Sequence, residues 1–160
     1  MIISIVNVDK NLGIGKDNHL LFHLPSDMKF FKEVTQGHVV AMGKNTLKSL
    51  PKGEPLKNRV NIVLSHEPSD GVINASSLEE FISLIKEYSK KDIVFIIGGA
   101  SIYKGTLDIV DEVYMTKVNE DGKADVFFPN IEDKFVCYEQ SEPISENGVS
   151  FVFSKWRKVH

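Results

Sequence analysis

The feature that most constrains the fold is a repeated local order, in which a buried strand runs through glycine directly into a helix. His38–Met42 is a short β-branched run that is followed by Gly43 and a segment able to form a helix. Ile93–Ile97 is apolar without alternation and is followed in the same way by Gly98-Gly99. An uninterrupted apolar run is typical of a strand covered on both faces, as in a parallel sheet flanked by helices. The repeated order therefore predicts an α/β fold.

Further strands and helices alternate along the chain. Pro25 begins a helix with apolar residues at a spacing of three, and Ser77 with Glu80 forms a capping box for a second helix. Further predicted strands are 2–8, 60–64, 72–73 and 113–118, with a late antiparallel pair at 134–140 and 149–153. We expect one domain, residues 1–160, with a twisted, mainly parallel sheet, about four flanking helices and an antiparallel strand pair at the C-terminal edge.

Composition excludes several classes of function. The 160 residues include 19 basic and 22 acidic side chains, a net charge of -3, so we expect no broad positive surface for nucleic acid. Cys137 is the single cysteine, which excludes an internal disulfide and a cysteine zinc cluster, and we assign it no chemistry. No apolar run is long enough to span a bilayer, and Met1–Ile3 lacks the features of a secretory signal. We expect a cytoplasmic monomer with no membrane contact.

The two strand–glycine–helix junctions are candidate phosphate sites. Ligands of open α/β sheets bind beyond the carboxyl ends of the strands, where helix N-termini present N–H groups to anions. Val39–Thr46 and Phe95–Ser101 both occupy such ends, and Lys44 and Thr46 add a cation and a hydroxyl. One dinucleotide could use both junctions. Neither matches the six-residue dinucleotide fingerprint or a P-loop, so tight turns without a ligand remain the alternative.

Asp27 is the candidate for acid–base chemistry. It lies in the first turn of the first predicted helix, and its neighbour at i+4, Phe31, places it on or beside the apolar stripe. One alternative is that Asp27 only complements the helix dipole. The other is that apolar neighbours enclose it, so that burial raises its pKa and fits it for managing a proton.

Two other patterns favour ordinary structural roles. His19 and His23 are four residues apart, as zinc ligands are on a helix, but the helix begins only at Pro25 and the segment between them lacks the Glu of the protease motif. We therefore expect no metal site. The basic run Lys155–Lys158 is expected to be a solvated strand edge on which Trp156 packs.

Short motifs follow one another in a characteristic order along nearly the whole chain. They are Ile14-Gly15, Leu24–Asp27, Phe31-Lys32, Met42–Thr46, Arg59, Ile97–Gly99, Tyr103, Tyr114–Thr116 and Phe128-Pro129. In this order and spacing the chain resembles the dihydrofolate reductases of the bacterial type. The resemblance implies hydride transfer from NADPH to C6 of 7,8-dihydrofolate and protonation at N5. The product would be tetrahydrofolate for one-carbon and thymidylate metabolism, and antifolates would be inhibitors.

The resemblance also implies roles for individual residues. Those near the chemistry are Asp27 as the active-site carboxylate, Thr116 as its buttress, and Leu20 and Phe22 in a loop, 9–24, that closes over the reaction. The substrate site would consist of Ile5, Val6, Asp27, Met28, Phe31, Leu50, Leu56, Arg59, Ile97, Tyr103 and Thr116, with Arg59 on the glutamate α-carboxylate. The cofactor site would consist of Val6, Asn7, Ile14, Gly15, Gly43, Lys44, Asn45, Thr46, Leu64, Ser65, His66, Ile97, Gly98, Gly99, Ala100, Ser101, Ile102 and Tyr103.

The chain departs from the family pattern at a few positions. Leu21-Phe22 stands where the family commonly has Pro-Trp, and Phe22 has no indole N–H to order a water beside the pterin. Lys44 and Ser101 stand where an Arg often contacts the 2′-phosphate, which predicts a weaker preference for NADPH over NADH. Ala100 replaces a third Gly, and Ala124-Asp125 replaces a Gly-Asp pair that supports the active-site loop.

Two alternative functions stay open from the sequence. The pyrimidine reductase of riboflavin synthesis resembles this fold and uses NADPH, but a phosphorylated sugar substrate calls for more basic residues than Asp27 and Arg59 provide. A non-catalytic nucleotide- or RNA-binding module could use the same glycine junctions, but the net charge and the lack of a basic aromatic stripe disfavour it.

Overall fold

The computed structural model describes residues 1–17 and 19–159, and within them the chain alternates between strands and helices. The helices are α1 (Pro25–Thr35), α2 (Lys44–Ser49), α3 (Leu78–Ser89) and α4 (Ala100–Thr106), with short 3-10 turns at Pro51–Gly53 and Leu107–Ile109. The strands are β1 (Ile2–Val8), β2 (Gly13–Gly15), β3 (Val39–Gly43), β4 (Val60–Leu64), β5 (Ile73–Ala75), β6 (Val94–Gly98), β7 (Glu112–Val118), β8 (Val126–Phe127), β9 (Phe135–Gln140), β10 (Ile144–Glu146) and β11 (Val149–Lys158).

Nine of the described strands form one mixed sheet. Its order is β10-β11-β7-β1-β6-β3-β4-β5, with β9 also paired to β11. The strands from β7 to β5 run parallel, whereas β11 is antiparallel to β7, β9 and β10. The predicted mainly parallel sheet with an antiparallel C-terminal pair is therefore confirmed. The strands β2 and β8 form a separate antiparallel pair.

The central strands are apolar because both faces of the sheet are covered. In β3, Val39 and Ala41 belong to one buried cluster, while Val40 and Met42 belong to the cluster on the other face. All four side chains are buried. An alternating pattern would have left one face polar, so the unbroken apolar run and the two-sided burial have the same cause.

The two longer helices begin where the sequence predicts. α1 starts at Pro25, and α3 follows Ser77, whose Oγ accepts a hydrogen bond from Glu80 N at 3.1 Å. The Glu80 carboxylate accepts from Ser76 N, one residue earlier than the N-cap, so the capping box is displaced by one position. Leu78, at the first position of α3, is 41% exposed, whereas Phe81 and Ile85 on the same helix are buried.

The C-terminal run is not a solvated edge, and that prediction is wrong. β11 extends to Lys158 and pairs with β7 on one side and β9 on the other. Lys155 is accommodated there because its Nζ lies 3.5 Å from a Glu139 carboxylate oxygen and 5.0 Å from the centroid of the Tyr114 ring. Trp156 packs as expected and is 9% exposed.

The segment after β1 is more ordered than the predicted loop. Asp9 is buried, and its carboxylate accepts hydrogen bonds from the backbone N–H groups of Asn11, Gly13 and Gly122. These bonds turn the chain so that β2 can pair with β8. Asn18, part of the same segment, lies outside the described residues.

The described residues contain no cluster of His, Cys, Asp and Glu that could hold a metal ion, and no helix long and apolar enough to cross a membrane. His19 lies in a turn, where it bridges to Lys16, and not on a helix. Cys137 is half-buried on β9, and its Sγ lies 3.4 Å from the Glu139 carbonyl oxygen.

Candidate active site

A carboxylate lies where helix α1 meets the sheet. Asp27, in the first turn of α1, accepts a 2.9 Å hydrogen bond from Asn7 Nδ2 and a 2.6 Å hydrogen bond from Thr116 Oγ1, one on each carboxylate oxygen. Asn7 and Thr116 are register partners on the parallel strands β1 and β7, so their side chains reach the same place. The parallel pairing of β1 and β7 thus fixes Asp27 by one hydrogen bond to each of its carboxylate oxygens.

Burial is the main influence on the ionisation of this acid. It raises the pKa of Asp27 above the ordinary value of 3.8, and the negative charge of Glu146 acts in the same direction. The hydrogen bonds from Asn7 and Thr116 favour the ionised form and lower the pKa, but they do not cancel the effect of burial. A buried carboxyl group with a raised pKa is a candidate for proton management.

Apolar side chains line the cleft beside Asp27. The predicted substrate residues Ile5, Phe31, Leu50, Leu56 and Ile97 all pack in the cluster on this face of the sheet. Two further predicted residues are open to solvent, since Met28 is 58% and Leu20 is 61% exposed. An apolar surface on the same face of the sheet as a carboxylate suits a flat aromatic ligand.

Arg59 lies at the opposite end of α1 from the carboxylate. Its Nε donates to Thr35 Oγ1 at 2.8 Å, and its terminal nitrogens donate to the carbonyls of Lys57 at 2.6 Å and Lys32 at 3.1 Å. Among the described residues these bonds use three of the five guanidinium N–H groups, leaving one on each terminal nitrogen. The helix rise of 1.5 Å per residue separates Lys32 and Thr35 from Asp27 by about 8–12 Å along the axis. One elongated ligand can therefore reach both charged groups.

A cavity of about 650 Å³ lies at the two glycine junctions. Most of its wall comes from predicted cofactor residues, namely Ile14, Gly15, Gly43, Lys44, Asn45, Thr46, Leu64, Gly99, Ala100, Ser101 and Ile102. His19, Ser49 and Val126 also line it and were not predicted. The volume, the backbone of two glycine turns, the hydroxyls and one cation fit a dinucleotide.

The second glycine junction, Gly98–Gly99, packs closely on Tyr103. The Gly98–Gly99 peptide is cis, and a Cβ at Gly98, where φ is +119°, would lie 3.2 Å from the Tyr103 ring. Tyr103 is buried below this peptide and donates from its hydroxyl to the Ile5 carbonyl at 2.6 Å. Burial raises the pKa of the Tyr103 hydroxyl, so it remains a donor at any physiological pH. Here Tyr103 holds the junction against β1.

Lys44 is already paired with an acid that the sequence did not single out. Its Nζ lies 3.2 Å from a Glu67 carboxylate oxygen, with side chains 37% and 77% exposed. Glu67 follows Ser65, whose hydroxyl accepts from Glu67 N at 3.1 Å and so turns the loop toward Lys44. A phosphate that binds Lys44 must compete with this carboxylate.

The remaining predicted residues surround these features less directly. Val6 is buried on the opposite face of the sheet from Ile5, in the cluster that includes Ile14 and Ile102. Ser65 is buried, His66 is exposed, and neither is among the residues that line the large cavity. Phe22 packs against Leu24 and Val118 instead of pointing freely into solvent. The hold of Asn7 on Asp27 was missed, because the resemblance implied only a cofactor role for Asn7.

Comparisons with known proteins agree with this geometry. The family model described as dihydrofolate reductase matches residues 1–158. The chain belongs to the dihydrofolate reductase family. It is 36% identical over 164 residues to the dihydrofolate reductase of Bacillus subtilis, covering 99% of this chain and 95% of that protein. It is 37% identical over 130 residues to the Staphylococcus aureus dihydrofolate reductase, covering 81% of this chain and 79% of that protein.

A solved structure of the same family superposes on the whole chain. It is the dihydrofolate reductase from Enterococcus faecalis, complexed with NADP(H) and RAB-propyl, with a TM-score of 0.88 and 28% identity. The match covers 100% of this chain and 97% of that one. The fold expected from the dihydrofolate reductase resemblance is therefore confirmed.

Proposed function

We propose that this dihydrofolate reductase family member catalyses the NADPH-dependent reduction of 7,8-dihydrofolate to 5,6,7,8-tetrahydrofolate. The observation that carries the proposal is the position of Asp27. It is a desolvated carboxylate, held by Asn7 and Thr116 on the face of the sheet that carries an apolar cluster, and a cavity of about 650 Å³ lies at the glycine junctions.

The substrate fits the site through its polar pterin end and its charged glutamate end. The Asp27 carboxylate would accept hydrogen bonds from N3 and the 2-amino group of the pterin, while the apolar floor would hold the rings. The free N–H groups of Arg59 would bind the glutamate α-carboxylate in a bidentate manner. The donors of the pterin would thus meet a fixed negative charge, and the α-carboxylate would meet a fixed positive charge.

The dinucleotide would lie across both glycine junctions. Lys44, Thr46 and Ser101 would bind its phosphates, and Ile14, Ile102 and the Gly98–Gly99 peptide would frame its nicotinamide. When bound, NADPH supplies the hydride that reaches C6 of the pterin. Asp27 holds the pterin in the form that gains a proton at N5, with solvent carrying the proton, and the segment 9–24 covers the reaction.

The broader setting follows from the same proposal. We place the activity in a single cytoplasmic domain, residues 1–160, that works as a monomer, supports one-carbon and thymidylate metabolism, and is inhibited by antifolates. The pyrimidine reductase alternative is less well supported, since the family match and the relatives are dihydrofolate reductases.

A direct assay tests the proposal. Purified protein is mixed with dihydrofolate and NADPH, and the loss of reduced nicotinamide absorbance is followed, with NADH run in parallel. We expect turnover with NADPH and a smaller rate with NADH. Folded protein that shows no turnover would contradict the proposal, and a ribosyl-pyrimidine phosphate would then be tested as substrate.

A further inference from the structure

Helix α1, which carries Asp27, lacks a cap from its own N-terminal residues. Its N-cap, Leu24, has an apolar side chain, and Pro25 at the first helical position has no N–H group. The Met28 N–H already donates to the Leu24 carbonyl at 3.0 Å. The N–H groups of Ser26 and Asp27 are therefore the first donors of the helix that need a partner from outside.

The missing cap comes from the last residue of β10. Ser26 N donates to Glu146 Oε1 at 3.0 Å, and Ser26 Oγ donates to Glu146 Oε2. The adjacent Asn147 donates from Nδ2 to the His23 carbonyl at 2.9 Å. The β10–β11 turn thus holds the chain on both sides of Pro25, although 120 residues separate Glu146 from Ser26.

We propose that Glu146 is a positioning residue for Asp27, acting through its cap on the first turn of α1. This inference rests on the proposed function. Ser26 directly precedes Asp27, so the bonds from Ser26 to Glu146 fix the turn from which the Asp27 side chain extends. A carboxylate at a helix N-terminus also interacts favourably with the helix dipole, which strengthens the cap.

The geometry at Asp27 explains why a fixed turn matters. The carboxylate must meet Asn7 and Thr116 on the sheet at 2.9 and 2.6 Å while it faces the pterin. A first turn without its cap would fray and let the carboxylate move by a fraction of an ångström. Catalytic groups are sensitive to displacements of that size.

Two substitutions separate the cap from a general effect on stability. Glu146→Ala removes both acceptors, whereas Glu146→Gln keeps an oxygen for Ser26 N and places an amide beside Ser26 Oγ. For Glu146→Ala we expect kcat/KM for dihydrofolate to fall about fivefold, the effect of losing one helix cap, with KM for NADPH unchanged. Glu146→Gln is expected to restore kcat/KM to within about twofold of wild type. Glu142→Ala, which removes an exposed acid of the preceding loop, is the matched control and should behave as wild type.

Amide hydrogen exchange at Ser26 and Asp27 gives a readout that does not depend on turnover. It should be faster in Glu146→Ala than in wild type and Glu146→Gln.

The proposal is overturned if Glu146→Ala keeps the wild-type kcat/KM and exchange, or if Glu146→Gln loses as much kcat/KM as Glu146→Ala. If Glu146→Ala does not fold, Glu146→Asp takes its place, because it keeps the charge but shortens the side chain by one methylene and withdraws the acceptor from Ser26 N; wild-type kinetics and exchange in that variant would overturn the proposal. Wild-type protein without turnover would instead contradict the proposed function, and the exchange data would still decide the cap.

Discussion

At the residue scale, the raised pKa of Asp27 couples activity to stability. The folded-state pKa lies above the ordinary value of 3.8, so the unfolded chain releases this proton first as the pH rises. Above the folded-state pKa, the ionised Asp27 therefore costs the protein stability relative to acid conditions. The ionised carboxylate that the proposed reaction requires therefore lowers the free energy of unfolding.

This cost can be measured with Asp27→Asn, which cannot ionise. Relative to wild type, we expect the free energy of unfolding of the variant to become larger as the pH rises from about 4 to 7, because only wild type then carries the buried charge. Urea unfolding of both proteins at several pH values checks this. A difference between the two free energies that stays constant with pH would show that burial does not perturb Asp27.

A second residue-scale prediction concerns Glu67. Its carboxylate is paired with Lys44 at 3.2 Å and would compete with a phosphate bound there. Glu67→Gln should lower KM for NADPH, by up to about fivefold, because exposed ion pairs contribute at most about 1 kcal/mol. KM for NADH, which has no 2′-phosphate, should change less. Equal changes for both cofactors would indicate that Lys44 does not contact the 2′-phosphate.

At the scale of elements, strand β1 carries a buried hydroxyl group that forms no hydrogen bond within the described residues. Ser4 is fully buried, and its Oγ has no hydrogen-bond partner in the described part of the chain. We expect Ser4→Ala to stabilise the protein by about 1 kcal/mol in chemical denaturation, since an unpaired buried hydroxyl costs free energy. The control is Ser154→Ala on β11, which removes a hydroxyl that donates to the Met115 carbonyl at 2.7 Å and should destabilise. A loss of stability in both variants would show that Ser4 has a partner.

The β2–β8 pair depends on a glycine for a steric reason. A Cβ at Gly13 would lie 2.4 Å from the Ala124 Cβ and 2.8 Å from an Asp9 carboxylate oxygen. Gly13→Ala should therefore separate the segment after β1 from 122–127 and lower both stability and turnover. Gly105→Ala is the control, because a Cβ there meets only Leu78 at 3.4 Å and improves the helix propensity of α4. Thermal unfolding and turnover of both variants test this, and equal behaviour would contradict the steric account.

At the scale of the whole molecule, the sequence predicts the framework and misses the long-range partners. The unbroken apolar runs identify β3 and β6 because two-sided burial leaves no polar positions. The strands β2 and β10 are three residues each and too short for a periodic signal. The pairs Asn7–Asp27, Lys44–Glu67 and Ser26–Glu146 join distant segments, and nothing local in the sequence marks one polar residue as the partner of another. The prediction for Lys155–Lys158 is wrong for a related reason, since the pairing of this run with β9 makes it part of an inner strand of the sheet.

The pH dependence of turnover in Asp27→Asn is the most direct test of the proposal that Asp27 favours protonation of the pterin. If Asp27 favours protonation of the pterin, kcat of the variant should collapse near neutral pH. It should rise as the pH falls, because acidic solution supplies protonated dihydrofolate without help from the protein. Wild type should keep its activity to higher pH. A variant whose kcat and pH profile match those of wild type would contradict the assignment of Asp27 and, with it, the proposed chemistry of the site.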